Sequence, residues 1–312
     1  MKSIELVIDG KQVVVPDNYT IIKAAEKLGI EIPALCYDPS LEIVASCRLC
    51  VVEVEGLSGL QTACSTKVCE GMVVSTKTQK VIAARRMILQ LFLDNHPNDC
   101  LTCQKAGECL LQKYAYEYDV KFSEQSSSIS LKIDDSNPYV LRDESKCILC
   151  GKCVRVCEQV EERAVLSFAN RGIEMKVVAD DDRSMGNSSC VSCQRCISVC
   201  PVGALMDARN MNKYRSWELE KEEIRCSVCQ YGCSFEILKK GSNIVGVRAM
   251  APGGGRPLCL KGRLANELNY VDMSEIAPVY VKRGQEYVQT TWTQALALNR
   301  IVNRLKMLDG KE

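Results

Sequence analysis

Cysteine is the residue of this chain best equipped for chemistry: twenty occur in 312 residues, and all but one fall into sets with metal-ligand spacing. In chain order the sets are Cys36-x10-Cys47-x2-Cys50-x13-Cys64; His96-x3-Cys100-x2-Cys103-x5-Cys109; Cys147-x2-Cys150-x2-Cys153-x3-Cys157; Cys190-x2-Cys193-x2-Cys196-x3-Cys200; and Cys226-x2-Cys229-x3-Cys233-x25-Cys259. Nineteen cysteines and the single histidine make five groups of four, with Cys69 left over. Thiolates gathered in fours around tight C-x2-C pairs are ligands for iron-sulfur clusters, so the chain reads as a wire of such clusters. Two other uses of thiols fit less well. Secreted disulfide scaffolds are usually short, and structural zinc sites take pairs of pairs rather than a run of four at x2-x2-x3 spacing.

The two C-x2-C-x2-C-x3-C runs carry the most specific signal. In bacterial-type two-cluster ferredoxins the first three cysteines of a run hold one cubane and the fourth crosses to the other. That pattern assigns Cys147, Cys150, Cys153 and Cys200 to one [4Fe-4S] cluster, and Cys190, Cys193, Cys196 and Cys157 to its neighbour. Pro201 follows the second run as the pattern expects; Glu158 stands there after the first, where proline shapes a turn and is not a ligand. The first set has a wider opening gap than the plant-type C-x4-C-x2-C and still fits a [2Fe-2S] site, with Cys64 or Cys69 as its fourth thiolate. A lone histidine is usually a surface or satisfied core residue. Here the three cysteines after His96 lack a fourth ligand, which makes its imidazole the candidate; a neutral ligand in place of a thiolate shifts a cluster's potential upward. The last set has a single-cubane layout, and Gly253-Gly254-Gly255 before Cys259 can bring backbone close to a cluster or a ligand. No G-x-G-x-x-G follows a predicted strand, so no dinucleotide site is expected.

The elements that must position these residues are short. Ile4 to Lys11 carries a hairpin signal, Thr20 to Leu28 has helical spacing ending at Gly29, and Val51–Glu55 and Met72–Val74 supply further strands with the ligands in the loops between them. Val81, Ile82, Met87, Ile88, Leu91 and Phe92 recur at helical spacing, so His96 follows a helix end. Ser123 to Pro138 is a polar connector, Glu158 to Ser189 an insertion between the two repeats, and the charged segment Glu218 to Arg225 precedes the last set. The expected organisation is α+β and multi-module: 1–78 a [2Fe-2S] domain, 79–122 a small helical [4Fe-4S] domain with one histidine and three cysteines as ligands, 139–212 a two-[4Fe-4S] ferredoxin domain, 219–275 a single-[4Fe-4S] domain, and 276–312 a tail without cysteine.

Aromatic residues make up only 5%, which suits short segments wrapped around inorganic cores better than one large apolar interior. No apolar run reaches the ~18 residues that a membrane span needs, and the N-terminus lacks signal-peptide character, so a soluble cytoplasmic protein is expected. The formal charge of +1 counts ligating thiols as neutral. With clusters bound the net charge falls to about −8, which disfavours nucleic acid as a partner.

Taken together and in this order, the five sets resemble the N-terminal iron-sulfur region shared by [FeFe] hydrogenases, the large iron-sulfur subunit of respiratory NADH dehydrogenase and NAD-linked formate dehydrogenase alpha subunits. Thr62-Ala63-Cys64-Ser65-Thr66-Lys67-Val68 and Glu70-Gly71-Met72 belong to that resemblance, which favours Cys64 as ligand and leaves Cys69 as a small buried hydrophobe. The part from residue 219 onward is similar to the start of molybdopterin oxidoreductases, in which C-x2-C-x3-C and Leu258-Cys259-Leu260-Lys261-Gly262-Arg263 hold a cubane beside the pterin. Lys261 matches the lysine between cluster and pterin, and Pro278, Trp292 and Ala295-Leu296 match the opening of the domain that follows. The resemblance implies a β-grasp fold for the first domain and a molybdopterin-oxidoreductase-type fold for the fourth, with one [2Fe-2S] and four [4Fe-4S] clusters. It implies partners as well: a flavin- and NAD(P)-binding subunit, a small [2Fe-2S] subunit and ferredoxin, in a hetero-oligomeric complex that bifurcates electrons, typically in an anaerobe. A molybdenum enzyme of this kind continues with pterin domains, whereas the sequence here ends at Glu312. The expectation is therefore a relay subunit without catalytic residues of its own. A split molybdenum or tungsten formate dehydrogenase, or a hydrogenase complex, is the alternative, and a last module kept only for docking is a third reading. Ile276 to Leu308 is expected to pack on a partner or on the last module.

Overall fold

Alternation of buried Ile4, Leu6 and Ile8 with exposed neighbours makes β1 (Ser3–Ile8) the inner strand of a hairpin with β2 (Lys11–Pro16). The turn falls at Asp9 and Gly10, both left-handed with φ of 49° and 78°. After α1 (Ile21–Lys27), the strands β3 (Val51–Val54), β4 (Gln61–Thr62) and β5 (Met72–Ser75) complete a five-stranded sheet of order β2-β1-β5-β3-β4, with β1 and β5 parallel. Ile21, Ile22, Ala24 and Ala25 of α1 pack on the sheet's Leu6, Ile8, Val52 and Val74. The computed structural model describes residues 2–97, 99–121, 132–249, 258–271, 279–291 and 294–295. Gly253 to Gly255, Pro278, Trp292, Leu296 and most of the polar connector lie outside them.

Thr78 caps α2 (Gln79–Asp94), its side chain accepting from the Val81 amide at 3.2 Å. The buried face of α2 is Val81, Arg85, Leu89 and Leu93, spaced by four; of the apolar stripe expected from the sequence, Met87 and Leu91 are largely exposed. The difference comes from Arg85. Its guanidinium donates to the Val51 carbonyl at 2.8 Å and the Tyr118 hydroxyl at 2.7 Å, so a cation takes a core position and the hydrophobic face rotates around it. Tyr118 caps α3 (Leu110–Glu117).

The region of the two repeats contains β6 (Ile133–Asp134), β7 (Val140–Asp143), α4 (Lys152–Arg155), β8 (Leu166–Ala169), β9 (Lys176–Ala179), α5 (Arg195–Val199) and β10 (Leu205–Asp207). Strands β10-β7-β6 form one sheet, so Ile133–Asp134, read from composition as connector, is an edge strand here; the insertion between the repeats is the β8–β9 hairpin. A meander of β11 (Glu220–Arg225), β12 (Ser234–Lys240) and β13 (Asn243–Ala249) follows, then α6 (Leu260–Tyr270) and the hairpin of β14 (Val279–Arg283) and β15 (Glu286–Thr290). The charged segment thus forms a strand whose side chains mostly face solvent. The hairpin corrects the expectation for the tail: its described part packs beside the second repeat, with Lys282 Nζ 2.7 Å from the Ser188 carbonyl and the Tyr287 hydroxyl 3.2 Å from Asn137 Nδ2 and 3.4 Å from Ser192 Oγ. Among the described residues no helix is long and apolar enough to cross a membrane.

Arg85→Ala removes both anchors of α2 and opens space in the core, and is expected to cost about 2–4 kcal/mol. Met87→Ala, on the exposed face, is expected to stay within about 0.5 kcal/mol of the parent. Denaturant midpoints of the anaerobically prepared protein measure both.

Candidate metal centres

The first set sits in the loops beside the five-stranded sheet. Cys36, Cys47, Cys50 and Cys64 are all buried, whereas Cys69 is exposed, not the buried hydrophobe the sequence suggested. The thiols stand in two pairs. Cys36 hydrogen-bonds with Cys47, which holds Cys36 down to about 5 and drives Cys47 up, and Cys50 and Cys64 divide a proton in the same way. Backbone amides reach this group too: Leu35 donates to Cys47 Sγ and Cys47 to Cys36 Sγ, each at 3.4 Å. Ala45 and Arg48 adopt left-handed φ of 49° and 57° in the loop that turns these amides inward.

In the second set the informative atom is His96 Nε2, which is buried and has no hydrogen-bond partner. Nδ1 lies 3.0 Å from the Pro97 carbonyl, so Nδ1 carries the proton and Nε2 presents a lone pair. Burial lowers the His96 pKa, which keeps the ring neutral. Cys109 caps α3 with its sulfur accepting from the Gln112 amide at 3.5 Å, at the positive end of the helix dipole. Gly203 brings the repeat region against this set, since a Cβ there would stand 3.0 Å from Cys103 Sγ. Lys146 ties the contact, 2.9 Å from Asp99 and 3.0 Å from Asp143.

The two repeats use one backbone device twice. Leu149 and Gly151 in the first copy, and Ser192 and Gln194 in the second, are left-handed at φ of 53°, 69°, 57° and 60°. The Ser192 amide donates to Cys190 Sγ at 3.3 Å, and the backbone at Leu149, Lys152 and Arg195 works to lower the pKa of Cys147, Cys150 and Cys193 against the burial that raises them. Such a path gathers N–H groups into an anion-binding concavity. Cys200 is among the groups that raise Cys147, Cys150 and Cys153, and Cys157 among those that raise Cys190, Cys193 and Cys196, and cysteines of both runs border one apolar core. Burial pushes Cys153 and Cys196 well above the usual thiol range, because a buried thiolate without a cation is unfavourable; a bound metal replaces the proton.

In the last set Cys226 is buried, Cys233 and Cys259 half-buried and Cys229 exposed, which makes it the most open of the five. Cys226 Sγ accepts from Asn266 Nδ2 at 3.3 Å, and Cys259 caps α6 with its sulfur accepting from the Gly262 amide at 3.4 Å. Gly262 lets the start of α6 lie close to this set: a Cβ there would stand 3.3 Å from Cys226 Sγ and 2.8 Å from Leu258 Cδ1, so Leu258 would have to shift. Lys261 is half-buried beside it. Among the described residues no three such groups converge on a point that one metal ion would fill. Thiolates around a polynuclear cluster bind different irons and have no need to converge so closely. The donor set, the amide concavities and the orphaned imidazole nitrogen fit that kind of group.

Arginines at two junctions join the sets. The buried Arg155 of α4 donates to the Cys36 carbonyl at 2.8 Å and the Cys150 carbonyl at 3.2 Å, and also to the Glu42 carbonyl. Arg263 of α6 hydrogen-bonds Gln194 and approaches the Ser192 carbonyl at 3.4 Å, joining the last set to the fourth; Glu267 and Arg209 close a buried ion network around it. Sequence reasoning does not single out Arg155, since nothing in its local pattern marks it; Arg263 closes the Leu258–Arg263 motif, but its place at a junction is not legible there.

A chain with these sites on short mixed modules is a multi-cluster iron-sulfur protein. Three family profiles match it: a 2Fe-2S iron-sulfur cluster binding domain at residues 1–79, the NADH-ubiquinone oxidoreductase-G iron-sulfur binding region at 85–124, and a 4Fe-4S dicluster domain at 146–204. It is 34% identical over 99% of its length to a G-type subunit of the NADH-quinone oxidoreductase of Rhizobium meliloti, covering 36% of that protein. Against NADP-reducing hydrogenase subunit HndD of Solidesulfovibrio fructosivorans the identity is 41% over 66% of this chain and 36% of the relative. A chain in the crystal structure of NAD+-reducing [NiFe]-hydrogenase in the H2-reduced state matches with a TM-score of 0.64 and 31% identity, over 68% of this chain and 91% of that one. The protein belongs to the family built on the iron-sulfur electron-transfer region that NADH dehydrogenase large subunits and these hydrogenase subunits share. It spans about a third of the length of the curated relatives it matches.

His96→Cys is expected to keep the second cluster and lower its potential, because a thiolate charge returns; His96→Ala is expected to weaken or lose it. Iron content and electron paramagnetic resonance decide. An alanine variant with parental iron and signals would show that His96 is not a ligand.

Proposed function

We propose that this chain is the iron-sulfur electron-transfer part of an NAD(P)-linked oxidoreductase complex, relaying single electrons between a flavin subunit and ferredoxin or another redox protein. The observation that carries the reading is continuity. Cys36 and Cys47 of the first set, Cys109 of the second and Cys147, Cys150 and Cys200 of the repeats border one apolar core, while Cys153, Cys157, Cys190 and Cys196 border the next. Ligand sets that share a core and are joined by single side chains are held close together, as a relay requires.

In this reading Cys36, Cys47, Cys50 and Cys64 hold a [2Fe-2S] cluster on a β-grasp domain. His96, Cys100, Cys103 and Cys109 hold a [4Fe-4S] cluster, the crossed sets of the repeats hold two more, and Cys226, Cys229, Cys233 and Cys259 the last. The domains are those expected from the sequence, except that the two-cluster module takes in the strand Ile133–Asp134, and Lys261 stands at the position that lies between cluster and pterin in molybdopterin oxidoreductases. When bound, such clusters take up and release one electron at a time. The chain's own residues do the rest: thiolates and the His96 imidazole anchor, backbone amides at sulfur favour the more reduced state, and burial excludes water. A flavin- and NAD(P)-binding subunit, a small [2Fe-2S] subunit and ferredoxin are the partners, in a cytoplasmic complex, with electron bifurcation as its working mode. The relatives' names support the NAD(P) link: one is NADPH-Fe(3+) oxidoreductase subunit alpha of Geobacter sulfurreducens, 32% identical over 96% of this chain and 35% of its own length.

Anaerobically prepared protein is expected to hold about eighteen irons per chain, for one two-iron and four four-iron clusters. A plateau near about fourteen after reconstitution would remove one cubane, with the open last set the first to suspect. The chain alone is expected to oxidise no NAD(P)H, and to be reduced by it once a flavin subunit is added; NAD(P)H oxidation by the pure chain would overturn the relay.

A further inference from the structure

Two buried cations lie on the short helix α4, between the first candidate set and the third. Lys152 is 1% exposed and Arg155 6%. Arg155 Nη2 donates both to the Cys36 carbonyl, at 2.8 Å, and to the Cys150 carbonyl, at 3.2 Å, so a single guanidinium nitrogen touches the backbone of a candidate ligand in each set. Its Nε holds the Gly151 carbonyl at 3.2 Å, at the left-handed residue of the amide concavity, and Nη1 holds the Glu42 carbonyl. Every acceptor is a neutral carbonyl. Lys152 faces the buried Asp38 carboxylate at 3.8 Å, whose Oδ1 is engaged by Ser40. The Glu42 carboxylate lies at the exposed rim and accepts from Gln159 Nε2 at 3.2 Å. Two buried cations against one buried carboxylate leave a net positive charge between two groups of thiolates.

We propose that Arg155 is a positioning residue that fixes the spacing of the two-iron site and the nearer cubane site and sets the reduction potentials of both; this rests on the relay reading above. Leaving a guanidinium buried among neutral carbonyls is costly unless neighbouring charge compensates. Two anionic sites, one on each side, supply that compensation, and in return the cation offsets their mutual repulsion and favours the reduced state of each. Arginine suits the position because its planar fork reaches several carbonyls at once, which an ammonium on a shorter reach does not.

The test uses the full chain, prepared anaerobically. In Arg155→Gln with parental iron and sulfide, the midpoint potentials of the two-iron signal and of a four-iron signal both shift to more negative values, while Arg183→Gln, at an exposed arginine paired with Asp181, moves neither. Parental potentials in an iron-replete Arg155→Gln overturn the proposal. If that variant loses iron, Arg155→Lys carries the test: the charge stays and the double carbonyl contact goes, so the magnetic interaction between the two reduced centres weakens, and an unchanged interaction overturns the proposal. A parent chain lacking two-iron and four-iron signals would instead defeat the relay reading itself.

Discussion

Everything in this structure answers to one electrostatic constraint. Clustered cysteines are brought wholly or partly out of water, where a bare thiolate is unfavourable, as the raised pKa values of Cys109, Cys147, Cys150, Cys153 and Cys196 record. The compensation has three sources besides a bound metal. Backbone amides converge on sulfur, helix N-termini face Cys109 and Cys259, and buried lysines and arginines stand behind the sets. The left-handed residues Leu149, Ser192 and Gln194 follow from the first of these, because amides cannot be gathered around a sulfur by regular helix or strand.

The same constraint explains why the modules are small and joined. Short elements such as α4 and α5 are too brief to be stable alone, and their packing is completed by the cysteine loops and by neighbouring modules. One apolar core runs from Leu35 and Leu49 through Leu89 and Leu111 to Val202 and Ala204, crossing the limits that composition suggests between domains. Metal ligation takes over part of the work of a larger hydrophobic interior in proteins of this kind. Buried arginines then become junction residues: Arg155 satisfies carbonyls from two modules at once, and Arg263 reaches from α6 to Gln194 and the Ser192 carbonyl.

Much is legible in the sequence because ligand chemistry is local. The x2 and x3 spacings of the repeats, the hairpin around Asp9 and Gly10 and the helix before His96 depend on neighbours in the chain. The buried face of that helix is not legible, because Arg85 occupies a core position through contacts to Val51 and Tyr118 that no periodicity reveals. The β14–β15 hairpin escapes the sequence for a related reason. Its docking depends on Asn137, Ser188 and Ser192, far away in the chain.

The sequence by itself determined the spacings that sort nineteen cysteines and His96 into five groups of four, and that His96 precedes a run of three cysteines without a fourth nearby. Only the tertiary structure decided which sets touch, that Cys69 faces solvent while Cys64 does not, that the His96 proton sits on Nδ1, and that Arg155 and Arg263 occupy the junctions. The division has a physical cause. Coordination preference belongs to the side chain and survives in any local context, whereas burial, tautomer and the placement of a compensating charge are properties of the space that distant segments enclose together.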